Sequence, residues 1–200
     1  MTPHDFALLA QEAYTAVPDI GTADSASRAI IRETPAGLVV AFPGTNNVTC
    51  WLADLDVAPT PVDGAGDVHR GFWLAWQAIA AEVLAAIGDK PVTLVGHSLG
   101  AAIAIMAAIS LTVSGKPPAA VFGFEPPRVS TGVNVAAVLR DVRVSLFKNG
   151  NDLVPDVPPG WNHAAPLMHI GAAACPFPNV SDHLIARVVE ALAVAANTQD

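Results

Sequence analysis

The residues best suited to chemistry lie in one short run, Val92-Thr93-Leu94-Val95-Gly96-His97-Ser98-Leu99-Gly100-Ala101-Ala102. It contains Gly-x-Ser-x-Gly between an apolar, strand-like stretch and a long apolar helix pattern, the context in which this motif presents a nucleophile. Passing from strand to helix in one residue forces Ser98 into a strained backbone and lifts its hydroxyl clear of a sheet. Gly96 and Gly100 stand on either side, where a Cβ would collide with the bend. A helix starting at Leu99 aims its positive end at the same spot, which favours a developing oxyanion. The competing reading is a plain β–α turn in which Ser98 only caps the helix.

A serine nucleophile needs an imidazole base and an acid to orient it. The chain has six histidines: His4, His69, His97, His163, His169 and His183. His4 belongs to the N-terminal segment and reads as a solvated residue. His97 is inside the bend itself, so its side chain must aim elsewhere. The chain order serine, acid, histidine leaves His163, His169 and His183 as candidates. The acids that could serve them are Glu125, Asp141, Asp152, Asp156 and Asp182. Asp152 stands apart because it follows a strand-like run through Asn149-Gly150-Asn151. That places it beyond a strand's C-terminal end, where open α/β sheets carry their sites.

The elements that must position these groups are legible as alternating patterns. Residues 5–16 put Phe6, Leu9, Ala10 and Ala13 at helical spacing. Strand-like runs follow at 28–33 and 38–42, separated by the turn Thr34-Pro35-Ala36-Gly37. Residues 43–67 read as a long surface loop, a length that in a compact domain tends to be functional. Helices are expected over 72–87, 99–113, 133–139 and 183–195, and strands over 92–95, 120–124, 142–147 and 168–170. Residues 148–166 read as loop. Uniformly apolar strands alternating with helices imply a mostly parallel α/β sheet covered on both faces. The uncharged run 91–115 is interrupted by Gly96, His97, Ser98 and Gly100, and reads as a buried strand and helix rather than a membrane span.

Composition bounds the rest. The 200 residues, 52% hydrophobic and 14% charged, fit one folded domain spanning 1–200 rather than a disordered chain. A formal charge of −8 with scattered cations argues against a nucleic-acid partner. Cys50 and Cys175 are too few for a disulfide scaffold and form no zinc-binding pattern. They read as two free thiols, with a bridge at the site rim as the alternative. The N-terminus carries Asp5 and Glu12 and no cation before Arg28, unlike a secretory leader, so the expected location is cytoplasmic.

Several ordered blocks together resemble the fungal-type (class 3) lipase family of the α/β-hydrolases. They are Val39-Val40-Ala41-Phe42-Pro43-Gly44-Thr45, Trp51-Leu52-Ala53-Asp54-Leu55, Val68-His69-Arg70-Gly71-Phe72 and Gly96-His97-Ser98-Leu99-Gly100. Phe122-Gly123 with Pro127-Arg128-Val129, Asn151-Asp152-Leu153-Val154-Pro155 and Asp182-His183-Leu184 complete the series. The resemblance implies an α/β-hydrolase fold with Ser98 as nucleophile, Asp152 as orienting acid and His183 as general base. His169 matches a further histidine of that pattern and is the second candidate base. The backbone N–H groups of Leu99 and Thr45 would form the oxyanion hole. Residues 43–67 would hold the oxyanion loop and a short amphipathic lid, with Val48, Trp51 and Leu52 meeting substrate; the alternative is that these side chains pack the loop onto the core.

The implied activity is hydrolysis of acylglycerols or other carboxylic esters through an acyl-enzyme. It needs no metal or organic cofactor. The partners are a small-molecule or lipid ester and, transiently, a lipid interface. An acyltransferase or thioesterase using the same triad, or a silent hydrolase-like binding protein, are the alternatives. The chain departs from the family pattern in three places. Pro43 stands where the family has arginine, Ala101 replaces a glycine, and Glu125-Pro126 looks like a one-residue insertion that leaves Glu125 without a family role.

Overall fold

A strand that is apolar at every position can satisfy two layers at once, and the central strands of this chain do so. The computed structural model describes residues 1–45, 47 and 57–197. In chain order the elements are α1 (Pro3–Glu12), β1 (Ile20–Gly21), β2 (Arg28–Thr34), β3 (Gly37–Phe42), β4 (Pro59–Val62) and β5 (Gly66–His69). Then come α2 (Arg70–Ile87), β6 (Val92–His97), α3 (Leu99–Val113), β7 (Ala120–Phe124), α4 (Asn134–Val138), β8 (Arg143–Asn149), β9 (Leu167–Ile170) and α5 (Ile185–Asn197).

Seven strands form one sheet in the order β1-β2-β3-β6-β7-β8-β9. β3 and β6 to β9 run parallel, and β1 and β2 add an antiparallel edge. Val40, Phe42, Leu94 and Val121 turn to one face, against α2 and α3. Val39, Ala41, Val95, Phe122, Phe124 and Phe147 turn to the other, where Phe6, Ala10, Val188 and Leu192 of α1 and α5 cover them. The α/β-hydrolase fold expected from the sequence is therefore present, with helices on both faces of a mostly parallel sheet.

α3 is buried on nearly every side, from Leu99 through Ile109. Its all-round apolar composition is that of a helix buried inside the fold. Together with β6 it accounts for the uncharged run, and no helix among the described residues is long and apolar enough to cross a membrane. α1 starts at a capping box in which Thr2 and Asp5 satisfy each other's backbone N–H groups, with Pro3 in the first turn. It ends at Glu12, earlier than the apolar spacing suggested, so Tyr14 lies past the helix.

Two further boundaries differ from the sequence reading. The stretch read as loop over 43–67 contains β4 and pairs it with β5 in an antiparallel hairpin, Thr60 opposite Val68 and Pro61 opposite Asp67. Pro59 and Pro61 mask the strand pattern, yet proline is tolerated in such an edge position. The last helix begins at Ile185 rather than at 183, which leaves His183 in the preceding turn.

Candidate active site

The parallel strands end side by side, Phe42 beside Gly96, Gly96 beside Gly123 and His97 beside Phe124. Ser98 follows the middle one and adopts φ 57° and ψ −127°. Its N–H donates to the Phe124 carbonyl at 2.9 Å, and its own carbonyl accepts from Ala101 N–H at 3.0 Å, closing the first turn of α3. Among the described residues only Ser98 and Glu125 have positive φ without being glycine. The glycines of the motif are sterically required: a Cβ on Gly96 would strike the Gly100 carbonyl, and one on Gly100 would strike the Phe42 carbonyl. The bend is therefore the strained strand-to-helix turn that the spacing foretold.

Asp152 lies in the turn after β8 and is fully buried. Its Oδ1 accepts from Val154 N–H at 3.0 Å and its Oδ2 accepts from His183 Nδ1 at 2.6 Å. Burial pushes its carboxyl pKa up, but the bond from His183, a bond to Glu125 and the Val154 N–H outweigh this and hold it below the usual carboxylate value. His183, also buried, thus has Nδ1 committed to a carboxylate, which leaves Nε2 to act. Ser98 Oγ and His183 Nε2 are both shielded from solvent, and neither bonds to another described group.

The backbone of His183 is fixed by His97. The His97 Nε2–H donates to the His183 carbonyl at 2.8 Å, and the Tyr14 hydroxyl donates to His97 Nδ1 at 2.6 Å. Donation from Nε2 and acceptance at Nδ1 require a neutral ring, and burial pulls the His97 pKa down to about 3. Tyr14, whose own pKa is raised by burial, is also hydrogen-bonded to the Gly44 backbone. One side chain from beyond α1 therefore ties the loop after β3 to the histidine turn.

That loop lies directly over the bend. A Cβ on Gly44 would come within 2.8 Å of Ser98 Cβ and 2.9 Å of the His97 carbonyl. Thr45 follows, half-buried, its hydroxyl accepting from Asn47 N–H at 3.2 Å. Leu99, buried behind Ser98, has a first-turn N–H with no carbonyl partner inside α3. Gly44 thus packs against Ser98 with Thr45 next along the chain, while Leu99 directly follows Ser98 at the start of α3. Pro43 stands in place of arginine, and it is Tyr14 that packs against the loop at Gly44.

The remaining candidates have other duties. His169 is exposed on β9. His163 is half-buried with Nε2 on the Pro155 carbonyl at 2.8 Å. His69 is buried and stacks on Phe72, ring centroids 3.8 Å apart. His4 is half-buried in α1 rather than fully solvated. Asp141 is ion-paired with Arg140, and Asp156 with Lys148. Asp182 accepts from Asn151 N–H, Ala174 N–H and Asn179 Nδ2 and pairs with Arg187, so it holds the turn before His183 rather than orienting its ring. Glu125, Asp152 and His183 bring ligand-type atoms within 4.8 Å of one another, but Nδ1 and Oδ2 are already bound to each other. Val48, Cys50, Trp51 and Leu52 lie outside the described residues. Cys175 is a free thiol whose Sγ–H donates to the Phe177 carbonyl. Tyr14, the one tyrosine in the chain, was missed by sequence reasoning because nothing local links it to His97, 83 positions away.

A parallel α/β sheet carrying a strained serine at a strand-to-helix bend, with a buried His–Asp pair beside it, defines the class of α/β-hydrolase-fold proteins. Within that class the chain belongs to the class 3 lipase family, whose model matches residues 39–161. It is 31% identical over 156 residues to a secreted mono- and diacylglycerol lipase A of Penicillium cyclopium, covering 72% of this chain and 51% of that protein. It is 30% identical over 186 residues to the rice phospholipase A1-II 7, covering 70% of this chain and 46% of that one. The chain spans about half the length of both relatives. A solved triacylglycerol lipase, whose catalytic centre is described as a serine protease triad, superimposes with a TM-score of 0.72 at 20% identity, covering 91% of each chain. The cytoplasmic expectation is corrected by these matches, since the Penicillium relative is named as secreted and points to an extracellular setting.

Proposed function

We propose that the protein is a serine carboxylester hydrolase acting on acylglycerols or related lipid esters, and that it works outside the cell. Ser98 Oγ attacks the ester carbonyl while His183 Nε2 takes its proton. Asp152 keeps the imidazole in the Nδ1–H tautomer and stabilises the cation that forms. The N–H groups of Leu99 and Thr45 meet the oxyanion, and each such donor contributes about 3 kcal/mol in other serine hydrolases. The alcohol leaves with the proton held by His183, and water then attacks the acyl-enzyme with His183 again as base. The residues already present complete this cycle without a metal or organic cofactor.

The observation that carries the reading is the 2.6 Å bond from His183 Nδ1 to a fully buried Asp152, in the same site as a serine at φ 57°. The two relatives, one named for mono- and diacylglycerols and one as a phospholipase, support lipid esters as the substrate class. The test is a p-nitrophenyl ester series from acetate to palmitate, with mono-oleoylglycerol and phosphatidylcholine as emulsions. Turnover of the long esters and of at least one lipid, abolished by Ser98→Ala, is expected. Absence of turnover across the whole series would favour a silent, hydrolase-like binding protein.

A further inference from the structure

Behind the His–Asp pair lies a second buried acid that the mechanism above does not use. Glu125 is the first residue after β7 and is fully buried. It adopts φ 51°, one of two left-handed non-glycine positions among the described residues, and the other is Ser98. Its N–H donates to the Phe147 carbonyl at 2.9 Å, and its Oε1 accepts from Asn149 N–H at 2.5 Å. The first bond holds the backbone and the second the side chain between the ends of β7 and β8. Oε2 has no donor to accept from and is shielded from water. What it does have beside it is Asp152: a carboxylate oxygen of each residue lies within 4.8 Å of the other, close enough for each to shift the other's pKa.

Two carboxylates cannot share a dry site as two anions, because like charges in low dielectric repel strongly. One must carry the proton. Asp152 already accepts from His183 and Val154, which both favour its ionised form, so the proton falls to Glu125. A protonated Oε2 then becomes a donor, and the orphaned atom acquires a partner. The charged and titratable groups around it agree. From β8, Lys148 acts on Glu125 as a cation, but it is held by Asp156 at 2.7 Å. From the histidine turn comes His183, bonded to Asp152, and at the end of β6 His97 is neutral. No free cation among the described neighbours is left to keep Glu125 ionised.

We propose that Glu125 is a positioning residue for the triad, a neutral carboxylic acid whose Oε2–H donates to Asp152. This bond fixes the Asp152 carboxylate from behind and draws negative charge away from the oxygen that faces His183. The inference rests on the Ser98–His183–Asp152 mechanism proposed above. A left-handed position would suit glycine, and a buried acid is costly, so the carboxyl is there for its hydrogen bond rather than for packing.

The test compares Glu125→Gln, whose amide N–H still donates, with Glu125→Gly, which suits the backbone angle but removes the donor. Both are assayed with p-nitrophenyl butyrate and by the rate of phosphonate inactivation, from pH 4.5 to 9. The Gln variant is expected to keep kcat within about twofold and leave the acid limb of kcat/KM in place. The Gly variant should lose about tenfold in kcat with little change in KM. Its acid limb should move to higher pH, because an unassisted Asp152 stabilises the imidazolium more. Thermal unfolding gives an independent readout. A group whose pKa is raised on folding contributes stability that is lost as pH rises, so Glu125→Gln should match the parent at pH 4.5 and unfold at a higher temperature at pH 8.

An acid limb that moves to lower pH in the Gln variant would mean that Glu125 is an anion, and would overturn the proposal. An unmoved limb in the Gly variant would reduce Glu125 to a structural role and overturn it equally. Failure of the hydrolase reading itself looks different: no turnover and no phosphonate reaction in the parent protein.

Discussion

A buried carboxylate can orient an imidazole only while it stays ionised, and Asp152 has the donors to do so. Replacing it with asparagine preserves shape and still accepts from Val154 N–H, but the amide presents the wrong partner to Nδ1. Asp152→Asn is therefore expected to lower kcat by about 10³–10⁴ with the circular dichroism spectrum unchanged. Activity within tenfold of the parent would move the acid role away from Asp152. At this scale Ser98, Asp152 and His183 were legible in the chain because each sits in a short block with its own local signal. Tyr14 was not, since its value comes from a bond to a residue on a different element. Glu125 was noticed but had no role, because neither its left-handed backbone nor the closeness of Asp152 is visible in one dimension.

Strand and helix ends decide how tightly these groups are held. The loop after β3 passes so close to the bend that Gly44 has no room for a Cβ against Ser98 and the His97 carbonyl. Gly44→Ala must push that loop outward, carrying the Thr45 N–H away from the developing oxyanion. The expected result is a fall in kcat of about 10²–10³ with KM little changed, the size seen when one oxyanion donor is removed. A variant with the parent's kcat would show that the Thr45 backbone plays no part. The central elements were readable from β6 and α3 outward, since uniform apolar runs and Gly boundaries mark them plainly. The β4–β5 hairpin was not, because two prolines and three turn-type residues in 59–66 imitate a loop when pairing partners are unseen. His183 was placed inside a helix for a similar reason: the apolar periodicity runs on smoothly into α5, while the turn is set by Asp182 gathering N–H groups from distant loops.

Over the whole molecule, the two buried titratable groups beside the triad tie stability to pH with opposite signs. His97 is neutral in the fold, its pKa lowered to about 3, whereas the unfolded chain takes up a proton near 6.5. Its contribution is present above the unfolded value and is lost as pH falls, by about 2 kcal/mol between pH 7 and pH 5. Glu125, with its pKa raised by burial and by Asp152, works the other way and weakens the fold as pH rises. The His97 imidazole resonance of the folded protein should stay unshifted between pH 7 and pH 5, and one titrating near 6.5 would contradict it. The two-faced sheet was foreseeable from uniformly apolar strands alternating with helices, but which buried polar groups face each other across its upper edge depends on the parallel register. The central claim is that Ser98 is a nucleophile activated by His183. Mass spectrometry after treatment with a p-nitrophenyl phosphonate tests it most directly. One phosphonyl group per chain, on the Ser98 peptide, with parallel loss of p-nitrophenyl butyrate hydrolysis and no adduct in Ser98→Ala, is the predicted result. An adduct elsewhere, or Ser98→Ala hydrolysing the ester at the parent's rate, would contradict it.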